Sequence, residues 1–194
     1  RDNFILDVAD IYLDYDLIDH AQEWLPMVED TRSTDYQEVL GRIALGKGEY
    51  QQGEEIFKKL VEDNPFASPY WNQLASSQFL SNRIKDSIES SEYSIAINPN
   101  DEEALLNKAN GLFSLDNFVE SLKYYQQYRQ TCHHVDFSII DVTIGHLYLI
   151  LGHPKEALDF YFQSITESEN KDQALINVAI SIFDNGYFEL TYRI

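Results

Sequence analysis

Three groups of side chains are of types that could do chemistry. Asp14, Asp16 and Asp19 crowd one turn, an arrangement that invites calcium. A calcium loop of the EF-hand kind needs further oxygen ligands in fixed order, a glycine at its sixth position and a closing Glu. Ile18 and Asp19 break that order, and the residues fall where one helix bends into the next. Cys132, His133, His134 and Asp136 carry zinc-ligand atoms, but no second cluster follows at finger-like spacing, and side chains adjacent in sequence splay apart. His146 has no Ser, Cys or Glu at helical spacing that would make a catalytic partner. No glycine-rich phosphate loop is present. These patterns predict a chain without catalysis, metal or cofactor.

A fourth group is electrostatic. Asp7, Asp10 and Asp14 stand at i, i+3 and i+7, on one helical face. Like charges stacked that way destabilise a helix by a few tenths of a kcal/mol per pair. A docking patch for a basic partner would give them a use, and a solvated face on an acidic protein is the plainer account. The whole chain leans the same way, with 33 acidic residues against 14 basic and a formal net charge of −19. Such a chain repels nucleic acid and anionic membrane surfaces. No apolar run approaches the ~18 residues that span a bilayer, the longest being Leu147 to Leu151. A single Cys makes no internal disulfide and gives no sign of an oxidising compartment, so a cytoplasmic location is expected. The absent initiator Met points to an excised piece or a processed product.

The elements that carry these residues repeat. Gly41, Ala75 and Ala109 are spaced by 34, Gly145 follows after 36 and Ala179 after 34, while Ala9 precedes Gly41 by 32. A second series, Ala21, Gly53, Ser87, Ser121, Ala157 and Thr191, changes step together with the first. Asn-Pro pairs at Pro65 and Pro99 keep the same period. Each period reads as two helices. In the third, Ser68 and Pro69 read as an N-cap followed by a first-turn proline, and Trp71, Leu74, Ala75 and Gln78 share one face. Turn signals recur near 15–17, 47–49, 81–83, 115–117, 151–153 and 185–187, and such short connections require antiparallel neighbours. The small residues should mark the closest helix crossings, with Phe57 and Tyr161 among the large residues filling the space beside them. The rhythm implies a shortened first repeat and a two-residue insertion around Asp136 and Phe137. Since one pair cannot bury its apolar face alone, the pairs must stack.

This pattern resembles the tetratricopeptide repeat family, most closely in Trp71, Leu74, Ala75 and Pro99 and in Gly145, Tyr148, Gly152, Ala157 and Tyr161. The resemblance implies an all-α, right-handed superhelical solenoid of about five and a half repeats, at 2–33, 34–67, 68–101, 102–135, 138–171 and a truncated 172–194. Gln78, Ser91 and Ser94 stand where the family prefers bulkier or apolar groups, so looser packing is expected in the third repeat. His133 replaces a usual Pro. Exposed apolar surface at a truncated end calls for a longer chain or for end-to-end self-association.

In this family the first helix of each pair lines the concave groove. Carried over residue by residue, the groove comprises Asp7, Asp10 and Asp14, with Leu6, Asp35, Glu38 and Arg42 in the first two repeats. Asn72, Phe79, Asn107, Asn110 and Phe113 line it in the middle. Val142, Thr143, His146, Asn177, Ile180 and Phe183 complete it. The asparagine amides suit the backbone of an extended peptide and the phenylalanines its side chains. The resemblance thus implies a non-catalytic scaffold for a protein or peptide segment with a basic end. The alternatives are a repeat region of a larger enzyme or transport system, or a self-associating module. Relatives that hold acidic chaperone tails use concave Lys and Arg, and Arg42 is the lone cation of this stripe, so no affinity for such tails is expected.

Overall fold

Six tight turns set the register of the fold. The structure is a computed structural model that describes residues 1–132, 136–187 and 189–190. Asp16, Gly48, Asn82, Asp116, Gly152 and Gly186 have positive φ, from 57° to 81°. Their spacings of 32, 34, 34, 36 and 34 residues repeat those of the small-residue series. At each turn two amides reach back to the helix end. Gly152 N–H donates to the Leu149 carbonyl (3.0 Å) and His153 N–H to that of Tyr148 (2.8 Å), and the same pair of bonds recurs at the other five. This is the closure that a residue in the left-handed region gives a helix C-terminus.

Between the turns lie α1 (Asp2–Asp14), α2 (Ile18–Trp24), α3 (Thr34–Gly46), α4 (Tyr50–Asp63), α5 (Ser68–Leu80), α6 (Ile84–Ile97), α7 (Glu102–Ser114), α8 (Phe118–Thr131), α9 (Ser138–Ile150), α10 (Pro154–Glu167) and α11 (Lys171–Asp184). No strand occurs among the described residues. The first repeat is short because α2 stops after seven residues in a 3-10 turn, Leu25–Met27, that contains Pro26. The α8–α9 connection, 132–137, is two residues longer than 64–67 or 98–101, as the rhythm implies.

The chain divides into two compact units, Arg1–Gly111 and Leu112–Ile194. Within the first, α1 packs on α2 and α3, α3 on α4 and α5, and α5 on α6. Within the second, α9 packs on α8, α10 and α11. The small residues lie at the approaches. A Cβ on Gly41 would come within 2.8 Å of the Phe57 ring, and one on Gly145 within 2.4 Å of the Tyr161 ring. Ala9, Ala21, Ala75, Ser87, Ala109, Ser121 and Ala157 are fully buried. Ala179 is the exception: it is exposed, and the described residues include no second helix of its own pair to pack on it. Thr191 lies outside them.

Two local expectations are corrected. Ser68 is not the N-cap of α5, because the Tyr70 amide already bonds the Ala67 carbonyl (3.1 Å) and the helix starts one residue earlier. Nor is the third repeat slack. Ser90 donates to Gln78 Oε1 (2.7 Å), Ser91 to the Ser87 carbonyl (2.8 Å), and Ser94 to Asp101 Oδ2 (3.3 Å) and the Ser68 carbonyl (3.4 Å). Hydrogen bonds, each worth about 1 kcal/mol net, stand there in place of apolar fill.

The second unit holds a charge pair that the sequence reading did not anticipate. Asp141 on α9 is fully buried and takes two bonds from Arg129 on α8, whose guanidinium also meets Glu167 (3.3 Å) and lies over the Phe137 ring. The carboxylate tolerates burial because the planar guanidinium satisfies both its oxygens.

Replacing Gly145 by Leu should force Tyr161 off its seat and cost about 1–3 kcal/mol. An unchanged thermal melting curve would place the crossing elsewhere.

Candidate functional site

In the first unit, α1 and α3 lie side by side and present a cleft of about 110 Å³ lined by Asn3, Leu6, Asp7, Asp10, Asp35 and Glu38. Five of these six belong to the stripe carried over from the family. Arg42 stands beside it, bonded to Asp10 (2.9 Å) and Asp14 (2.7 Å). Asp7, Asp10 and Asp14 therefore do not act alike. Asp14 and Asp10 are neutralised in part by one guanidinium, while Asp7 and Asp35 are exposed, with no cation at ion-pair distance among the described residues. Burial pushes the Asp10 carboxyl up; Arg42 opposes that shift, while Glu38 and Asp14 add to it. Next to the cleft, burial raises Tyr70 to about 12, and the nearby Glu38 and Asp35 carboxylates add to that shift. The four carboxylates of the cleft face a single Arg42.

The asparagines of the same unit are turned inward. Asn72 is buried, 3% exposed, and its Nδ2 donates to Asp101 Oδ1 (2.8 Å). Asn107 Nδ2 donates to Ser76 Oγ (3.2 Å) and the Asn72 carbonyl (3.4 Å). These amides join α5 to α7, so the donors offered to a peptide in the sequence reading are committed to the fold. Asp101, which also takes the Ala104 amide (3.1 Å), is the residue that draws Asn72 in. Its place before an acidic helix start is an N-cap signal legible in the sequence. Phe79 and Asn110 are half-buried.

The second unit gathers the rest. Phe113, Tyr125, Val142, Thr143, His146, Asn177, Ile180, Ser181 and Asp184 line a cleft of about 360 Å³. Phe113, His146 and Asn177 thus come together, with the Phe113 and His146 rings 5.9 Å apart. Asn177 accepts from Gln173 (3.0 Å) through its oxygen, leaving the amide nitrogen as donor. Behind His146 runs a polar chain. Asn185 Nδ2 donates to His146 Nδ1 (3.0 Å), Ser181 Oγ lies 3.0 Å from the same nitrogen, and Tyr161 Oη lies 2.6 Å from Ser181 Oγ. Because Nδ1 accepts, the ring proton sits on Nε2 and is available as a donor. Burial lowers the His146 pKa against the pull of Asp184, so the ring is neutral near pH 7.

The Ser181–His146 contact does not make a nucleophile. A serine base pair needs an accessible hydroxyl and an acid that orients the far nitrogen. Here Ser181 is 5% exposed, Nδ1 is shared with Asn185, and the Tyr161 hydroxyl crowds the same oxygen. What the chain achieves is orientation. Ser181, Asp184 and Asn185 escaped the sequence reading, although Asn177, Ser181 and Asp184 follow i, i+4 and i+7 on α11. Among the described residues no group of three His, Cys, Asp or Glu side chains is arranged to hold a metal ion, and His133 and His134 lie outside them. No described helix is long and apolar enough to cross a membrane.

The fold is that of known tetratricopeptide repeat structures. A thermophilic TPR protein from Thermus thermophilus superposes with a TM-score of 0.75 at 16% identity, covering 94% of this chain and 100% of that one. A crystal structure of MamA gives 0.71 at 18% identity, over 86% of this chain and 97% of that one. No protein-family model matches the sequence, and no curated protein matches it.

Because the folded-state pKa of His146 is depressed, the unfolded chain takes up a proton that the folded one refuses. The stability this ring contributes is present above pH ~6.5 and is lost as pH falls below that value. His146→Gln should therefore lose less stability than the natural chain on acidification from neutral pH, the carboxylates being common to both. Parallel denaturation midpoints across that window would contradict the buried, neutral ring.

Proposed function

We propose that the chain is a non-catalytic scaffold that holds segments of another protein against the first helices of its repeats. The observation that carries this reading is the pair of clefts, one in each unit, that open on first-helix residues and retain unspent binding groups. The cleft of the first unit offers Asp7, Asp35 and Glu38 to a Lys or Arg side chain. The cleft of the second offers Nε2–H of His146 and the Asn177 amide to backbone carbonyls, beside apolar walls from Phe113, Val142 and Ile180. The partner is thus a segment with cationic residues for the first unit and a neutral, partly apolar stretch for the second.

Asp10 and Asp14 hold Arg42, so reversing their charge would disturb the fold as well as the cleft. Asp7 and Asp35 are the cleaner probes. In calorimetry, a capped peptide alternating Lys with Leu and Phe should bind. Its affinity should fall with added salt, which screens exposed charges over about 8 Å at physiological strength. Asp7→Lys/Asp35→Lys should weaken it about tenfold, chiefly through slower association. An acidic chaperone-tail peptide should not bind. Micromolar affinity for that acidic peptide, or indifference of the basic one to the double substitution, would refute the proposal.

A further inference from the structure

A third cleft, of different build, lies between the second helices α4 and α6, with α5 as its floor, and encloses about 330 Å³. One wall is aromatic. Tyr93 stays 50% exposed while its ring stacks on Trp71, centroids 4.5 Å apart and planes 21° from parallel. The Trp71 ring is itself fixed, packed on the core of the first unit and donating its Nε1–H to the Pro65 carbonyl at 2.9 Å. The result is a rigid π surface at the edge of solvent.

The charges around it are unevenly matched. Arg83 is paired with Glu54 and with Asp86 (3.7 Å), which accounts for three of the six charged groups. Glu62 on α4 and Glu89 on α6 remain, on facing walls, with no cation at ion-pair distance among the described residues and, within the lining, Lys58 alone to balance them. A planar cation that stacks on an aromatic face and forks to carboxylates fits this combination, and guanidinium does both where an ammonium does only one. A neutral aromatic ligand would desolvate the two glutamates without pairing them. A second copy of this chain is disfavoured by its own charge of −19.

We propose that this cleft binds an arginine side chain from a basic segment of a partner protein, the guanidinium lying on the Tyr93–Trp71 surface between Glu62 and Glu89. The site is independent of the two first-helix clefts, and neither reading requires the other.

Trp71 supplies the readout. In the Trp24→Phe variant it is the only tryptophan, and its emission can be followed while short capped peptides are added. A Gly-Arg-Gly-Arg-Gly peptide should shift the emission saturably, and the peptide with citrulline for arginine should not. The lysine peptide should bind more weakly, by about threefold or more. Glu62→Gln/Glu89→Gln should weaken the arginine peptide by about tenfold. Glu55→Gln/Asp159→Asn, which removes the same charge from exposed positions outside the cleft, should leave it within about twofold. Calorimetry on the same variants covers a bound state that leaves Trp71 emission unchanged. No saturable binding by either method, equal affinity for the citrulline peptide, or equal losses in the two double variants would overturn the proposal. Because Asp7→Lys/Asp35→Lys leaves this cleft intact, arginine binding should survive in it, which separates failure here from failure of the first-helix clefts.

Discussion

The second unit depends on one close approach, that of the Tyr161 ring to the backbone of Gly145. A side chain of any size at 145 would occupy the space of that ring, which is fully buried. With the ring seated, α9 and α10 are locked side by side, and the hydroxyl emerges on the far side of the core. There it meets Ser181 on α11, and Ser181 in turn meets His146. The residue that closes the helix crossing is thus joined, through one serine, to the cleft histidine. Gly41 and Phe57 repeat the approach in the first unit, where no such polar chain follows.

Burial of polar groups separates the two units in character. In the first, the third repeat and the start of the next are cemented by serines, Gln78, Asn72 and Asp101. Each bond adds little net energy, but an unmade one in a buried site would cost about 1–3 kcal/mol, which enforces one mutual arrangement of α5, α6 and α7. In the second, the cement is Arg129 with Asp141, whose two-oxygen match offsets the cost of burying a carboxylate. Much of the acidic excess of the chain is left to exposed positions, Asp7, Asp35, Glu62 and Glu89 among them.

The repeat was legible because its signals are steric and local. The small residues, the six turns and the two-residue insertion share one rhythm, and the helices obey it. The turns at 15–17, 81–83 and 115–117 fall where that rhythm puts them; what it leaves out is that Asp16, Asn82 and Asp116, and no glycine, take the positive φ there. The cleft residues were half legible. The family resemblance, carried over residue by residue, puts Asp7, Phe113, His146 and Asn177 on the first-helix face. It cannot say that Asn72 and Asn107 would turn to Asp101 and Ser76, since hydrogen-bond partners 29 and 31 residues away leave no periodic trace. For the same reason the Arg129–Asp141 pair and the stack of Trp71 on Tyr93 emerge only in three dimensions.

The central claim is that the first-helix faces select cationic and apolar peptide segments. Selection from a random-peptide library against the full chain tests it whatever the natural partner is. The account predicts recovered sequences rich in Lys or Arg together with Leu, Ile or Phe. It also predicts recovery reduced about tenfold on a chain carrying Asp7→Lys, Asp35→Lys and Ile180→Asp. Recovery of acidic sequences, or undiminished recovery on that variant, would contradict it.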